Sequence, residues 1–250
     1  MLYYKADIGV IGGSGLYELC EDVKQIEVDT PYGKPSDVIS LATVGDKKVA
    51  FLPRHGKGHS LNPSEINYRA NIDAMAQLGV KALISPCCVG SLNPKMGPGD
   101  FVVTDQFINM TSGRKDTFNE SPNVVHLSSA DPYDNRLRRL AVEEAEKLGI
   151  TVHDGGTVVI INGPRFSTRA ESKMFAMMGG DVVNMTQYPE GYLCLERNIP
   201  VVNIALITDY DAGLEGRPDI KPVQNEDVVR VLEENNERVK RLIFKLIDRI

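Results

Sequence analysis

Glycines and a hydroxyl residue follow the first apolar run of the chain, where a strand would end. Residues 8–11 form that run, and Gly12-Gly13-Ser14-Gly15 comes directly after it. Glycines let the backbone turn tightly and bring its N–H groups close to an anion, and the Ser14 hydroxyl adds a donor. The third glycine of a dinucleotide fingerprint and the Gly-x-x-x-x-Gly-Lys-Ser/Thr pattern of a P-loop are both missing. The segment therefore indicates a site for a small oxyanion, or only a tight strand-to-helix turn.

A second polar cluster, Pro53-Arg54-His55-Gly56-Lys57-Gly58-His59-Ser60, follows the apolar residues 49–52. Arginine offers a planar fork of donors that suits an oxyanion, and His55 beside it adds another donor. In an open α/β sheet, ligands gather beyond the carboxyl ends of the strands, so Ser14 and Arg54 are expected to face one site. The histidines lack an acidic or sulfur partner at zinc-ligand spacing. We expect an oxyanion site here, or a solvated basic loop, and no metal.

Two adjacent cysteines, Cys87 and Cys88, follow the apolar residues 80–84 and precede Val89-Gly90-Ser91. A nucleophilic or redox role would need a histidine partner or an unstrained disulfide, and neighbouring cysteines bridge each other only with strain. Small residues and a glycine at a strand end let a ligand approach the main chain. We therefore interpret both cysteines as small wall residues of a site.

Three later clusters supply an aromatic ring, a thioether, hydroxyls and two carboxylates, each after an apolar run. Phe166 can stack on a planar base, Met185 can lie on a sugar, and Asp209 or Asp211 can bond the edge of the base. Together they suit a nucleoside, although each alone could be structural. The clusters are Asn162-Gly163-Pro164-Arg165-Phe166-Ser167-Thr168-Arg169, Asn184-Met185-Thr186-Gln187-Tyr188-Pro189-Glu190 and Thr208-Asp209-Tyr210-Asp211.

The elements that position these clusters alternate along the chain. Alternation of apolar runs with helical patterns predicts a single α/β domain over residues 1–250, with a twisted, mixed but mostly parallel sheet flanked by helices. The polar segment 111–134 is predicted to be a long loop, or an excursion to a neighbouring subunit. Strands are expected at residues 8–11, 38–41, 49–52, 80–84, 101–103, 158–161 and 201–207, and helices at 63–78, 134–148, 169–178, 189–197 and 226–250.

Composition excludes several classes of protein. The formal net charge of -6 argues against a broad basic face for nucleic acid. No apolar run reaches the length of a membrane span, and the N-terminal residues lack the pattern of a secretory signal, so we expect a cytoplasmic protein without membrane contact. The four cysteines show no CxxC pair or dense spacing, which predicts reduced thiols.

The clusters occur in the order found in methylthioadenosine phosphorylases, and the chain resembles that family from the first strand to the terminal helix. Further segments that carry the resemblance are Tyr68-Arg69-Ala70-Asn71-Ile72, Pro98-Gly99-Asp100 and Asp105-Gln106-Phe107-Ile108. The resemblance implies a purine nucleoside phosphorylase-like fold, assembled as a homotrimer or a dimer of trimers. It also implies a purine nucleoside and inorganic phosphate as the two substrates, with no metal or organic cofactor.

The resemblance also implies residue roles. Met185 would contact the ribose, and His126 from an adjacent subunit would close the pocket over the 5′ substituent. Asp209, Arg54 and His55 would be the catalytic residues, with Asp209 as the acid that protonates the leaving purine. Phosphate would be held by Ser14, Arg54, His55 and Thr186 with the segment around Cys87 and Cys88, and the base by Phe166, Ser167, Asp209 and Asp211.

The choice of substrate stays open at this point. Ionised Asp209 and Asp211 would accept from a 6-amino group and favour adenine, whereas a protonated aspartate could donate to a 6-oxo group. Cys87 stands where the family usually has a hydroxyl residue, and Asn225 stands where an apolar residue often lines the methylthio pocket, so a 5′-hydroxyl substrate is a second possibility. The residues also leave room for a nucleosidase that uses water in place of phosphate, and for a non-catalytic nucleoside-binding protein.

Overall fold

The computed structural model describes residues 4–12, 23–122, 124–214 and 216–250. Within these ranges the chain forms eleven strands that join one sheet, and five helices. The strands are β1 (Ile8–Gly12), β2 (Lys24–Ile26), β3 (Ile39–Val44), β4 (Lys47–Pro53), β5 (Ala82–Ser91), β6 (Phe101–Val103), β7 (Gln106–Asn109), β8 (Val152–Asp154), β9 (Thr157–Ile160), β10 (Val182–Asn184) and β11 (Val201–Asp209). The helices are α1 (Tyr68–Leu78), α2 (Asn135–Lys147), α3 (Arg169–Met177), α4 (Gln187–Glu196) and α5 (Asn225–Arg249).

Strand β5 is the branch point of the sheet. It pairs in parallel with β1 and β11 and antiparallel with β10. One arm continues from β1 through β4 and β3 to β2, a second from β10 through β9 to β7, and a third from β11 through β6 to β8. Parallel and antiparallel ladders both occur, and β1, β4, β5 and β11 all run in one direction. The predicted α/β fold with a mixed sheet flanked by helices is confirmed.

Helices cover both faces of the sheet, which is why successive residues of β1 are both buried. Val10 packs into a cluster that includes Leu242 and Leu246 of α5, and Ile11 packs into a cluster that includes Ile72 and Met75 of α1. A strand that is covered on both faces reads as a continuous apolar run rather than an alternating one. Each fully buried aliphatic side chain stabilises the fold by about 1.5–3 kcal/mol.

Several predicted boundaries were wrong. Helix α1 begins at Tyr68 instead of residue 63, because the Asn67 side chain caps it by accepting from Ala70 N. Strand β5 continues past residue 84 to Ser91, because β11 pairs with it as far as Gly90. Short strands β2, β7, β8 and β10 were not predicted, since three- or four-residue runs carry little periodic signal.

The polar segment 111–134 is a loop, as predicted. Between β7 and α2, the described residues contain neither helix nor strand. None of the helices in the described ranges is long and apolar enough to span a bilayer.

Candidate functional site

The ends of β1 and β4 lie side by side, next to the middle of β5, and this brings two of the predicted clusters together. Gly12 is in register with Pro53, and Arg54 N donates to Gly12 O at 2.9 Å. The register of β1 with β5 sets the end of β1 level with the start of the Pro86-Cys87-Cys88 segment. Ser14, which was predicted to join Arg54 here, lies outside the described residues.

The Arg54 guanidinium is buried and almost fully bonded within the protein. Its Nε and Nη2 atoms donate to the two carboxylate oxygens of Glu190, each at 2.7 Å. Nη1 donates to Pro86 O, and Nη2 also donates to Ile11 O, which ties the guanidinium to β5 and β1. Burial alone would lower the pKa of Arg54, but the charge and hydrogen bonds of Glu190 outweigh that effect and raise it. The cation is therefore permanent.

His55 follows Arg54 and is held as a neutral ring. Its Nδ1 lies 2.9 Å from Leu61 O, and since a carbonyl only accepts, Nδ1 carries the proton. The ring stacks on His59, with centroids 4.0 Å apart. Burial, with smaller contributions from the Arg54 and His59 charges, lowers the pKa of His55 to about 4. The neutral ring then presents a bare Nε2, which is an acceptor. The prediction that His55 donates to an oxyanion was therefore wrong, because its one N–H is already bonded to Leu61 O.

Cys87 and Cys88 lie in the middle of β5 and are partly buried. Asn203 Nδ2 donates to Cys87 Sγ at 3.2 Å and to Ser85 O at 2.7 Å. Desolvation raises the pKa of Cys87 to about 11 and that of Cys88 to about 12. Both are therefore thiols at neutral pH, as wall residues would be.

Thr186 begins α4 at the point where β10 meets β5. Asn184 accepts from the N–H groups of Thr186 and Gln187, at 2.7 and 2.8 Å, and donates through Nδ2 to Cys88 O. Asn184 therefore anchors the first turn of α4 to β5. Thr186 is buried, and its hydroxyl lies 3.3 Å from Asn184 Oδ1.

Asp209 and Asp211 lie next to Gly90, after a register shift in the β5–β11 ladder between Ile207 and Asp209. Asp211 N and Thr208 Oγ1 each donate to the Asp209 carboxylate at 2.7 Å. Burial, with the negative charges of Asp211 and Asp227, raises the pKa of Asp209 to about 6 in spite of those donors. Asp209 can therefore hold a proton close to neutral pH.

Asp211 is buried in a left-handed backbone conformation, with φ of 48°. Burial raises its pKa, and its neighbours Ser167 and Ser172 only partly offset that effect. Asp211 Oδ2 and Ser167 Oγ are buried without a hydrogen bond to the described residues. The contacts of Ser167 and Asp211 with a base stay a prediction.

Met185 packs against the Gly163-Pro164 turn, where a Cβ on Gly163 would lie 2.5 Å from Met185 Sδ. Phe166, two residues beyond the turn, is 37% exposed and free to stack on a ligand. His126 is exposed on the loop before α2. No contact among the described residues links His126 to the rest of the site, and its predicted role concerns a neighbouring subunit.

Two charged residues that support the site were not assigned a role from the sequence. Glu190 pairs with Arg54, as described above. Arg114 comes from the loop before α2 and donates to the carbonyl oxygens of Asn162, Met185 and Tyr188, at 3.1, 2.8 and 2.5 Å. The Arg54–Glu190 pair and the Arg114 bonds to Met185 and Tyr188 each span more than 70 residues of sequence, so local patterns carry no signal for them.

The chain is similar to known proteins over nearly its whole length. A sequence profile described as "Phosphorylase superfamily" matches residues 7–248. The chain is 50% identical to the S-methyl-5′-thioadenosine phosphorylase of Thermofilum pendens, over 98% of this chain and 93% of that protein. It is 44% identical to the purine nucleoside phosphorylase of Streptomyces coelicolor, over 97% and 89% of the two chains. The crystal structure of a methylthioadenosine phosphorylase from an antarctic soil metagenomic library superposes with a TM-score of 0.92, at 38% identity, covering 98% of this chain and 86% of that one.

Proposed function

This chain belongs to the phosphorylase superfamily, and from that premise we propose that it cleaves S-methyl-5′-thioadenosine with inorganic phosphate. The products are adenine and 5-methylthioribose 1-phosphate, a step of purine salvage. The reaction needs no metal or organic cofactor, because phosphate itself is the second substrate. The observation that carries the proposal is a partly buried carboxyl, Asp209, whose pKa is raised to about 6 and which lies on the opposite side of β5 from a buried cation, Arg54.

The two ends of this site match the two charges of the reaction. Glycosidic cleavage builds positive charge on the sugar and negative charge on the departing base. A phosphate oxygen forms the new bond to C1′, the electron pair of the C1′–N9 bond goes to the purine, and Asp209 supplies the proton that the purine takes up at N7. Arg54, Thr186 and Ser14 would act on phosphate by positioning and electrostatics, and His55 would accept a hydrogen bond at Nε2 from a protonated phosphate oxygen.

The same raised pKa supports a second candidate. A protonated Asp209 donates a hydrogen bond and so suits a 6-oxopurine, which makes a methylthioinosine or 6-oxopurine nucleoside phosphorylase the alternative. The likeness to the purine nucleoside phosphorylase of Streptomyces coelicolor is consistent with that alternative. The 50% identity to a methylthioadenosine phosphorylase favours the 6-amino substrate.

We further propose that the protein works as a homo-oligomer, as a trimer or a dimer of trimers, in which His126 of one subunit covers the 5′ end of the neighbour's site. Val124, Val125 and Leu127 surround His126 in the chain and are 56%, 52% and 40% exposed. Apolar side chains exposed together are typical of a contact surface.

The test is product analysis with methylthioadenosine, methylthioinosine, adenosine and inosine, each with and without phosphate. Phosphate-dependent release of adenine from methylthioadenosine, in preference to adenosine, supports the proposal. Faster release of hypoxanthine than of adenine would replace it with the 6-oxopurine alternative. Cleavage without phosphate would identify a nucleosidase, and binding without turnover would identify a non-catalytic protein.

A further inference from the structure

Arg54 and Glu190 form a buried ion pair whose geometry limits what the guanidinium can offer to a ligand. The side chains are 3% and 1% exposed, and the contact is bidentate, with both distances 2.7 Å. Ser85 Oγ donates to Glu190 Oε1 at 2.6 Å, and Gln187 Nε2 donates to Ser85 Oγ at 2.7 Å. These bonds fix the carboxylate as firmly as the guanidinium.

Few donors of Arg54 remain for a substrate. An arginine has five N–H groups. Nε–H points to Glu190, both hydrogens of Nη2 face the acceptors Glu190, Ile11 O and Ser85 Oγ, and one hydrogen of Nη1 faces Pro86 O. One N–H on Nη1 is left over among the bonds of the described residues.

The charge of Arg54 is also compensated before any ligand arrives. A phosphate dianion next to this pair is attracted by the Arg54 cation and repelled by the Glu190 anion. Its net attraction then comes mainly from the one N–H of Nη1 that remains free to donate to it. Repulsion between the Glu190 charge and a phosphate charge about 5 Å away, at the effective dielectric constant of about 20 that suits such sites, weakens the binding constant for phosphate by more than about tenfold. The carboxylate thus opposes phosphate while it orients the arginine.

We propose that Glu190 is a positioning residue that fixes the direction of Arg54 and competes with phosphate for its positive charge, and so weakens phosphate binding. The proposal rests on the proposed function, because it takes Arg54 as a contact of phosphate. The consequence is that phosphate is bound weakly but in the correct orientation for attack. Tighter binding of phosphate in the ground state would not by itself raise kcat, because only interactions that are stronger in the transition state do so.

The experiment compares the wild-type chain with Glu190→Gln, which keeps the shape of the side chain and removes its charge. We expect the KM for inorganic phosphate to fall at least about tenfold and kcat to fall as well, because the freed guanidinium draws phosphate away from its aimed position. We also expect the melting temperature to drop without phosphate and to rise more steeply with added phosphate than in the wild type, because phosphate replaces the missing counter-charge. Sodium chloride at equal ionic strength is the reference titration.

Glu144→Gln is the matched control. Glu144 is a buried carboxylate on α2 that pairs with Lys147 and Arg249, away from the strand ends. Its loss should lower the melting temperature while leaving the phosphate KM and the phosphate-induced shift at wild-type values. If Glu190→Gln fails to fold, Glu190→Asp keeps the charge but lengthens the contact, and the same changes are expected at smaller size.

The outcomes separate this inference from the proposed function. An unchanged or raised phosphate KM in Glu190→Gln, with a wild-type phosphate shift in melting temperature, would overturn the role of Glu190 even if the wild-type enzyme turns over. Absence of phosphate-dependent cleavage by the wild type would overturn the proposed function. The thermal titration still tests the inference in that case, because it needs only inorganic phosphate.

Discussion

A Cβ atom on Gly90 would lie 2.8 Å from Asp209 Oδ1 and 3.1 Å from the Cβ of Asp211. Both distances are shorter than the contacts that side chains normally tolerate. The missing side chain on β5 therefore makes room for two carboxylates at the end of β11. The register shift between Ile207 and Asp209 brings them there, since a bulge re-aims the side chains that follow it.

Gly90→Ala is predicted to displace Asp209 and Asp211 together. We expect kcat for nucleoside cleavage to fall by about 10²-fold, since a misplacement of about 1 Å near the reacting atoms costs that much. The control is Gly191→Ala, whose added methyl would meet the Tyr133 ring at an ordinary 3.4 Å. Steady-state kinetics of both variants test this prediction. Equal kcat values would show that the absence of a side chain at Gly90 does not determine the positions of the two carboxylates.

Asp209→Asn is predicted to change how stability depends on pH. The folded-state pKa of about 6 lies above the ordinary 3.8, so the folded state binds more protons between these values and the free energy of unfolding falls as pH rises through this window. The penalty above pH 6 is at most about 3 kcal/mol. Thr208 can reverse its hydroxyl toward Val89 O, so the asparagine fits.

We therefore expect Asp209→Asn to melt at a higher temperature than the wild type at pH 8 and at a similar temperature at pH 4, while cleavage falls at least about 10²-fold. Asp46→Asn, at a side chain that is 86% exposed, is the control and should keep the wild-type slope. A variant less stable than the wild type at pH 8 would mean that Asp209 is not desolvated as described.

His55→Gln is predicted to change the slope of stability with pH in the opposite direction. The folded-state pKa of about 4 lies below the ordinary 6.5, so the unfolded state binds more protons and the wild type loses stability as pH falls from 6.5 to 4. In the wild type, between pH 4 and 6, the gain in the free energy of unfolding with rising pH that comes from His55 partly cancels the loss that comes from Asp209. Denaturant melts of His55→Gln at several pH values should therefore reveal the Asp209 trend alone, whereas the exposed-site variant Asp46→Asn should match the wild type.

The sequence predicted the layers of the fold and the clusters at the strand ends, because buried strands read as apolar runs and ligands meet a sheet at the carboxyl ends. Contacts that depend on register could not be read in this way. Gly90 meets Asp209 only because β5 extends to Ser91, beyond the last apolar residue of its run. The Arg54–Glu190 pair joins residues 136 positions apart, and its two halves look like separate polar clusters in the sequence.

The last prediction concerns Arg114, whose guanidinium is bonded to the backbone on both sides of Met185. It donates to the carbonyls of Asn162, Met185 and Tyr188 and lies 5.2 Å from the centre of the Tyr68 ring. Arg114→Met keeps an unbranched apolar stem but removes the guanidinium, which leaves three carbonyls without a charged donor. Each bond to a charged group contributes about 1.5–3 kcal/mol, so we expect the free energy of unfolding to fall by about 2–4 kcal/mol after relaxation.

The same variant should raise the KM for the nucleoside about tenfold with little change in the phosphate KM, because the segment carrying Met185 loosens while Arg54 and His55 stay in place. Arg114→Lys should be intermediate, since an ammonium cannot match the fork of a guanidinium at three carbonyls. Arg136→Met removes an exposed arginine on α2 and serves as the control. Urea melts and kinetics with each substrate varied in turn make the test, and a phosphate KM that rises with that of the nucleoside would contradict a local effect on Met185.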